Sequence, residues 1–211
     1  MRALDLFCKA GGATRGLQQA GYEVTGVDIK PQPRYVGERF FCDDAMAWLR
    51  GEREPLAGFD LIWASPPCQR YSKCTPMAHK DKHPDLLPEV LDILRAQPLP
   101  YIVENVHGTQ HLMRNPIFLC GSMFGLNFWR HRWFEVGNVA DFFFLLPPCN
   151  HAGTPVLISG THRVKGRRWD DTHATKSQAI EIDWMVTTEL DEAIPPAYSR
   201  FLAEHMKAVL L

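Results

Sequence analysis

The sequence predicts an α/β fold, a mostly parallel sheet covered by helices on both faces. Three observations predict it. Short apolar runs alternate with helical patterns through the first hundred residues, the signature of strand–helix–strand units. Glycine turns and acids follow the apolar runs, where the carboxyl edge of such a sheet would lie. With 211 residues, 45% hydrophobic and 22% charged, the chain can build one well-cored domain plus a small appendage.

The elements follow in order. Residues 3–7 alternate as a strand and end in the turn-rich Lys9-Ala10-Gly11-Gly12. A helical pattern runs over residues 13–20, and Gly21 is a natural stop. Residues 24–27 read as a buried strand closed by Asp28. Phe40 and Phe41 lead into Asp43-Asp44, whose carboxylates suit the start of a helix over 45–49. Residues 59–64 and 101–103 are further strands, with a helix over about 86–94 between them. After residue 110 the alternation fades into an aromatic-rich segment containing Phe118, Phe124, Phe128, Trp129, Trp133 and Phe134. Pro147-Pro148 marks a boundary, and residues 149–185, rich in Thr, His, Lys and Arg, read as a small loop-rich lobe. Ile194, Tyr198, Phe201, Leu202 and Met206 fit a closing helix entered through Pro195-Pro196. The organisation expected is a main domain over 1–147, a reduced lobe over 148–185, and a segment over 186–211 that returns to the main domain.

Composition excludes several classes. No apolar run reaches bilayer length; the longest, residues 142–146, stops at Pro147. The N-terminus lacks a charged lead and apolar signal core, so a cytoplasmic, monomeric protein is expected. The six cysteines are scattered, which suits a reducing compartment. Cys149 lies near His151 and Cys68 near Cys74, but neither has the paired C-x-x-C spacing of a structural zinc site, so no metal is expected. The net charge of -1 means that any nucleic-acid surface must be local.

Two regions carry chemistry. The first is the turn Phe7-Cys8-Lys9-Ala10-Gly11-Gly12, where a glycine-rich backbone can approach a ligand. Its spacing is not G-x-G-x-x-G, and the glycines alone fit a plain tight turn. Acids after two successive strands point further, to a nucleoside site: Asp28 can accept from ribose hydroxyls, Asp44 can reach an adenine amino group, and Phe7 can stack on the adenine. The second region is Ser65-Pro66-Pro67-Cys68-Gln69, a cysteine in a rigid turn at a strand end. Glu104-Asn105-Val106 ends the next strand at the same edge, and Arg130-His131-Arg132 places two cations on one side of an extended segment. Together they suit thiolate attack on carbon 6 of a pyrimidine, with Glu104 at ring nitrogen 3 drawing off electron density.

With these motifs in view, the chain resembles the cytosine-5 DNA methyltransferases over residues 5–206. Asp5-Leu6-Phe7 through Gly11-Gly12 is similar to the family's first motif, and Asp28 and Asp44 to its ribose and adenine acids. Pro66-Pro67-Cys68-Gln69 resembles the nucleophile motif, Glu104-Asn105-Val106 the base-binding motif, and Arg130-x-Arg132 the paired arginines. Ala193-Ile194-Pro195-Pro196 resembles the closing cofactor motif. The resemblance implies a Rossmann-like domain that uses S-adenosyl-L-methionine to methylate a cytosine flipped out of double-stranded DNA. It assigns Cys68, Glu104, Arg130 and Arg132 to catalysis, and Asp5, Phe7, Lys9, Gly11, Gly12, Asp28, Asp44, Pro66 and Ile194 to the cofactor. It makes residues 65–84 a mobile loop that closes over DNA, with Gln69, Ser72 and Lys73 in contact and Lys80 and Lys82 near phosphates. Two other readings stay open: methylation of transfer RNA, and a non-catalytic nucleic-acid-binding relative.

Four features depart from the family, three positions and one region. Lys9 replaces a usual glycine, Phe128 a usual glutamine and Glu192 a usual asparagine, and the recognition region is short, as in minimal enzymes of the kind phage genomes carry. Lys9 adds a cation that can pair with a cofactor carboxylate or point into solvent. His162-Arg163-Val164-Lys165-Gly166-Arg167-Arg168-Trp169 is the densest basic stretch, and Arg163, Lys165, Arg167 and Arg168 are expected on the DNA backbone.

Overall fold

The computed structural model describes residues 1–73, 75–140, 142, 144–158 and 171–210. Seven strands form one sheet: β1 (Arg2–Leu6), β2 (Glu23–Asp28), β3 (Arg39–Cys42), β4 (Leu61–Ala64), β5 (Tyr101–Asn105), β6 (Ile117–Leu119) and β7 (Arg132–Gly137). Their order is β3-β2-β1-β4-β5-β7-β6. The first five are parallel, while β7 runs antiparallel to both β5 and β6. The order reverses between β1 and β4, the point in a doubly wound sheet where the crevice outside the carboxyl ends takes a ligand. The mixed α/β, Rossmann-like class expected from the sequence is the class observed.

Each strand feeds both faces, because successive side chains point to opposite sides. In β4, Leu61 and Trp63 join one core while Ile62 and Ala64 join the other. The first face is covered by α1 (Gly12–Gln19) and by α6 (Pro196–Leu210); the second by α2 (Ala45–Leu49) and α3 (Leu87–Ala96). The tightest contact joins α1 and α6. A Cβ placed on Gly16 would stand 2.1 Å from the Pro196 carbonyl oxygen and from Ser199 Oγ. Ser199 Oγ donates to the Ala13 carbonyl at 2.8 Å.

Two elements differ from the sequence reading. The β6–β7 hairpin lies where alternation fades, because β7 buries a charge: Glu135 is almost fully buried and accepts from Arg95 Nε at 2.8 Å and from the Tyr101 hydroxyl at 2.6 Å. A buried carboxylate satisfied in this way erases the apolar pattern of the strand without breaking it. Residues 171–185 also contain the helix α4 (His173–Ile180), and α5 (Thr187–Leu190) follows it. Within the span expected as a loop-rich lobe, Leu157, Ile158, Ile180, Ile182 and Met185 are buried, four of them in the core beneath α1 and α6. Few apolar residues suffice because each is an anchor rather than part of a stripe. Among the described residues, no helix is long and apolar enough to cross a membrane.

Candidate active site

The carboxyl ends of β1, β2 and β4 are tied together by the Cys8 amide donating to the Val27 carbonyl at 3.1 Å and the Ser65 amide donating to the Leu6 carbonyl at 3.2 Å. Above them opens a cavity of about 430 Å³. It joins both regions singled out in the sequence: Asp5, Phe7, Lys9, Gly12, Asp28 and Ile194 line it together with Pro66, Cys68, Gln69, Glu104 and Arg132.

At the first end the turn after β1 is sharp. Phe7, Lys9 and Gly11 all have positive φ, at 61°, 48° and 87°. For Phe7 and Lys9 this is a left-handed conformation with a steric cost, sustained because the turn is held from both sides. Asp28 accepts from the Lys9 amide and the Lys30 amide, each at 3.0 Å. Trp184 Nε1 donates to the Ala10 carbonyl at 2.9 Å. Asp5 is buried beneath the turn; its Oδ2 accepts from the Thr14 hydroxyl at 2.6 Å, while Oδ1 has no partner among the described residues. Burial, and then the neighbouring Asp28 charge, raise its carboxyl to about 7 against the opposing Thr14 hydrogen bond. Gly12 admits the return segment closely: a Cβ there would lie 2.5 Å from the Ile194 carbonyl oxygen.

At the second end Asn105 fixes the cysteine turn, its Nδ2 donating to the Pro66 carbonyl at 3.1 Å. Trp63 Nε1 donates to Ser65 Oγ at 2.8 Å. Arg132 Nε lies 2.8 Å from Glu104 Oε1, an ion pair with charge contact but without hydrogen-bond alignment. Burial raises the Glu104 carboxyl above the usual carboxylate range, opposed by Arg132, Arg130 and Lys9. Burial also raises the Cys68 thiol, and Glu104 adds to this, while Arg132, Lys9 and Arg130 pull it down. The three groups thus sense one another: a cation lowers the cost of a thiolate, and a protonated Glu104 removes the charge that opposes it.

Some expected residues lie elsewhere. Asp44 caps α2, its Oδ1 accepting from the Met46 amide at 2.9 Å, and it is not part of the cavity lining; neither is Gly11. Arg130 is buried behind the cavity, where Nη2 donates to the Asp191 carbonyl at 2.7 Å while Nε and Nη1 have no partner among the described residues. Burial and the like charge of Arg132 lower its pKa. Phe128, in the place of the family's glutamine, is fully buried in the core. Ser72 and Lys73 follow Gln69 in the loop leaving the cavity, and Lys73 is exposed. Arg163, Lys165, Arg167 and Arg168 lie outside the described residues.

The sequence reading missed much of the wall supplied by the return segment. Met185, Thr188 and Glu189 line the cavity beside Glu192, Ala193 and Ile194, the part of that wall to which the closing motif pointed. Lys9 forms an ion pair with Glu192, so two of the family departures meet each other across the mouth. Arg34 grips Glu189 with two bonds of 2.8 Å. The one advance signal for these contacts was the pair of departures, an added cation and an added acid in the two cofactor motifs. Apart from the cavity, Cys120, His131, Cys149 and His151 bring four potential metal-ligand atoms within 4.8 Å of one another. The expectation of no metal rested on chain spacing, which does not register ligands drawn from three separate segments.

Comparison with curated protein sequences gives no match. Among solved structures, a DNA modification methyltransferase encoded within an E. coli prophage is similar at 19% identity and TM-score 0.48, over 75% of this chain and 53% of that one. Dnmt2 methyltransferase of S. pombe is similar at 20% identity and TM-score 0.42, over 64% of this chain and 48% of that one. A Spodoptera frugiperda DNMT2 mutant is similar at 19% identity and TM-score 0.47, over 75% and 58% of the two chains. The chain therefore spans about half the length of these proteins. The family model for C-5 cytosine-specific DNA methylase matches residues 1–120, a segment that includes both the glycine turn and the motifs around Cys68 and Glu104. The chain belongs to the C-5 cytosine-specific DNA methylase family.

Proposed function

We propose that the protein is a DNA cytosine-5 methyltransferase that uses S-adenosyl-L-methionine and a covalent adduct through Cys68. The observation that carries this reading is the single cavity in which a cysteine, a buried acid and an arginine stand beside a glycine turn backed by two acids. Its volume of about 430 Å³ suits one nucleoside-sized ligand beside a base.

The cavity fits the cofactor. The partnerless Asp5 Oδ1 is a buried acceptor in search of a donor. Asp28, already held by two backbone amides, is oriented for further donors such as ribose hydroxyls. Phe7 offers an aromatic ring, and Gly12 keeps the wall thin where a side chain would collide with Ile194. When bound, S-adenosyl-L-methionine supplies a methyl group on a positive sulfonium, which departs without its bonding electrons.

The chain's own residues prepare the base. Glu104, protonated more readily than a free carboxylate, donates to ring nitrogen 3 of cytosine. The Cys68 thiol gives its proton to solvent and the thiolate adds to carbon 6, moving the ring electrons toward carbon 5. Arg132, against Glu104, offsets negative charge at that moment. Carbon 5 is then electron-rich, the condition for accepting an electrophilic methyl. Transfer of the carbon 5 proton to solvent water, its bonding electrons re-forming the 5,6 double bond as the carbon 6–sulfur bond breaks, restores the aromatic ring and the Cys68 thiolate. Because carbon 6 is covered in a stacked duplex, the base must leave the helix to reach Cys68. Gln69, Ser72 and Lys73 stand at the cavity mouth or just beyond it as contacts to the strand, and the basic residues 163, 165, 167 and 168 are assigned to phosphates.

Duplex DNA carrying 5-fluorocytosine tests the reading, because the fluorine cannot leave as a proton does. The wild type should accumulate a covalent complex mapped by mass spectrometry to Cys68, and Cys68→Ala should form none while retaining cofactor affinity. No adduct from an otherwise folded wild type would sink the mechanism. Methyl transfer to transfer RNA but not to duplex DNA would overturn the substrate alone.

A further inference from the structure

The cluster formed by Cys120, His131, Cys149 and His151 lies away from the cavity, and nothing in the proposed chemistry uses it. Cys120 immediately follows β6, His131 immediately precedes β7, and Cys149 and His151 follow the Pro147-Pro148 turn. Three stretches distant along the chain thus meet at the edge of the sheet.

We propose that these four side chains form a tetrahedral structural site for a zinc ion, which clamps the 149–151 segment onto the β6–β7 hairpin. The distances carry it. Cys120 Sγ lies 3.5 Å from His151 Nε2, Cys149 Sγ 3.7 Å from His131 Nε2 and 2.7 Å from His151 Nε2, and the two Nε2 atoms are 3.0 Å apart. Zinc held at about 2.3 Å from sulfur and about 2.0–2.1 Å from nitrogen requires tetrahedral edges of roughly 3.3–3.8 Å, so the ion is admitted once the 2.7 and 3.0 Å contacts open and the widest separation, within 4.8 Å, draws in.

Hydrogen bonding among the four groups does not account for the cluster. His151 Nε2 has three potential partners within 3.5 Å, yet one ring nitrogen carries either one proton or one lone pair. Convergence of one atom on three partners is what a central cation resolves and pairwise bonding leaves unsatisfied. The chemistry of the donors agrees: two thiols and two imidazoles in a tetrahedral array select zinc over harder cations.

The surroundings hold the ligands in place. Trp129 stacks on His151 with ring centroids 4.5 Å apart, and Phe118 meets His131 edge-on at 4.8 Å. Ser122 Oγ donates to Cys120 Sγ at 3.3 Å and accepts from the Asn150 amide at 3.1 Å. A hydrogen bond to a ligating sulfur of this kind tunes and orients it. Four protein ligands leave no open coordination position, so the site is structural rather than catalytic. It reaches the active site through position: His131 stands between Arg130 and Arg132, and fixing it fixes the start of the strand that presents Arg132 to Glu104.

Cobalt(II) titration of the full chain, stripped with a chelator under reducing conditions, tests the proposal. The wild type is expected to show the visible bands of tetrahedral cobalt with thiolate charge transfer, saturating at one ion per chain and bleached by zinc. Cys149→Ser and His151→Ala should each weaken binding by more than the roughly 10–100-fold typical of residues that only hydrogen-bond a ligand. Zinc should also protect Cys120 and Cys149 of the wild type from alkylation, a readout that does not depend on the variants folding. Wild type that takes up no tetrahedral cobalt, binding that survives in the variants, or a Cys120–Cys149 disulfide in place of the metal would each overturn it.

Discussion

Asp5 shows how a single buried group can make the unliganded protein sensitive to pH. Its folded value of about 7 lies above the ordinary 3.8, so between those values the native state holds a proton that the unfolded chain releases. The stabilising contribution is complete below about pH 4 and is lost as the pH rises through 7. Integrated over that interval, the loss is at most about 4 kcal/mol, at roughly 1.4 kcal/mol per unit. Denaturant unfolding of the unliganded wild type at pH 5 and pH 8 should therefore show a decline that Asp5→Asn largely removes, since Asn keeps an acceptor for Thr14 without the charge. An unchanged decline in the variant would assign the effect to other groups. Lys9 and Glu192 are read together for a similar reason. Both are about half exposed, so their pair adds no more than about 1 kcal/mol to stability, and the left-handed backbone of Lys9 offsets part of that. Their importance is at the mouth of the cavity. Lys9→Gly alone leaves an unpaired carboxylate there and should weaken S-adenosyl-L-methionine binding by roughly 1 kcal/mol, about fivefold. Adding Glu192→Asn, the combination usual in the family, should recover most of it; calorimetry showing two additive losses would remove the coupling. The paired departures hinted at this contact, but nothing local could place the two residues together, because contacts between residues 183 positions apart leave no local pattern.

Among the elements, β1 to β5 and the helices between them were legible because short apolar runs alternate there with helical segments, with the cysteine and Glu-Asn motifs at strand ends. Glu104-Asn105 at the end of β5 beside the cysteine turn after β4 follows from adjacency in a parallel sheet. The β6–β7 hairpin was not legible, since Glu135 is paid for by Arg95 and Tyr101 rather than by an apolar face. The cluster of Cys120, His131, Cys149 and His151 depends on that same hairpin, which is why chain spacing did not show that the four side chains meet. Asp44 was read as an adenine contact, and the structure uses it as a helix cap, the ordinary role of an acid before a helix. The α1–α6 contact gives the sharpest test at this scale. Gly16→Ala inserts a methyl where the Pro196 carbonyl oxygen would be 2.1 Å away, and the obstacle is backbone that cannot rotate aside. The variant should lose roughly 1–3 kcal/mol of stability by chemical denaturation. A loss within a few tenths would mean that α6 shifts along α1 without cost.

Viewed as a whole molecule, the cavity has one wall from the first turn of the chain and another from its last third. Trp184 bonds to the Ala10 carbonyl, Glu192 pairs with Lys9, and Ser199 bonds to the Ala13 carbonyl, across 174, 183 and 186 positions. The binding site therefore comes into being only when a long loop closes, an entropic cost that grows with the logarithm of its length. Closures of this kind belong late on a folding route, after the local strand–helix units have formed. A ligand that needs both walls then has almost nothing to hold in the transition state. At a concentration 100 times its dissociation constant, S-adenosyl-L-methionine would stabilise the native state by about 2.7 kcal/mol. Nearly all of that should appear as unfolding slowed by roughly a hundredfold, with refolding from denaturant at an unaltered rate. Stopped-flow measurements in which the ligand accelerates refolding would place closure early instead. With late closure, a cofactor bound there would work as a kinetic lock: it would not hasten assembly, but it would set how long the two ends of the chain stay together once they have met.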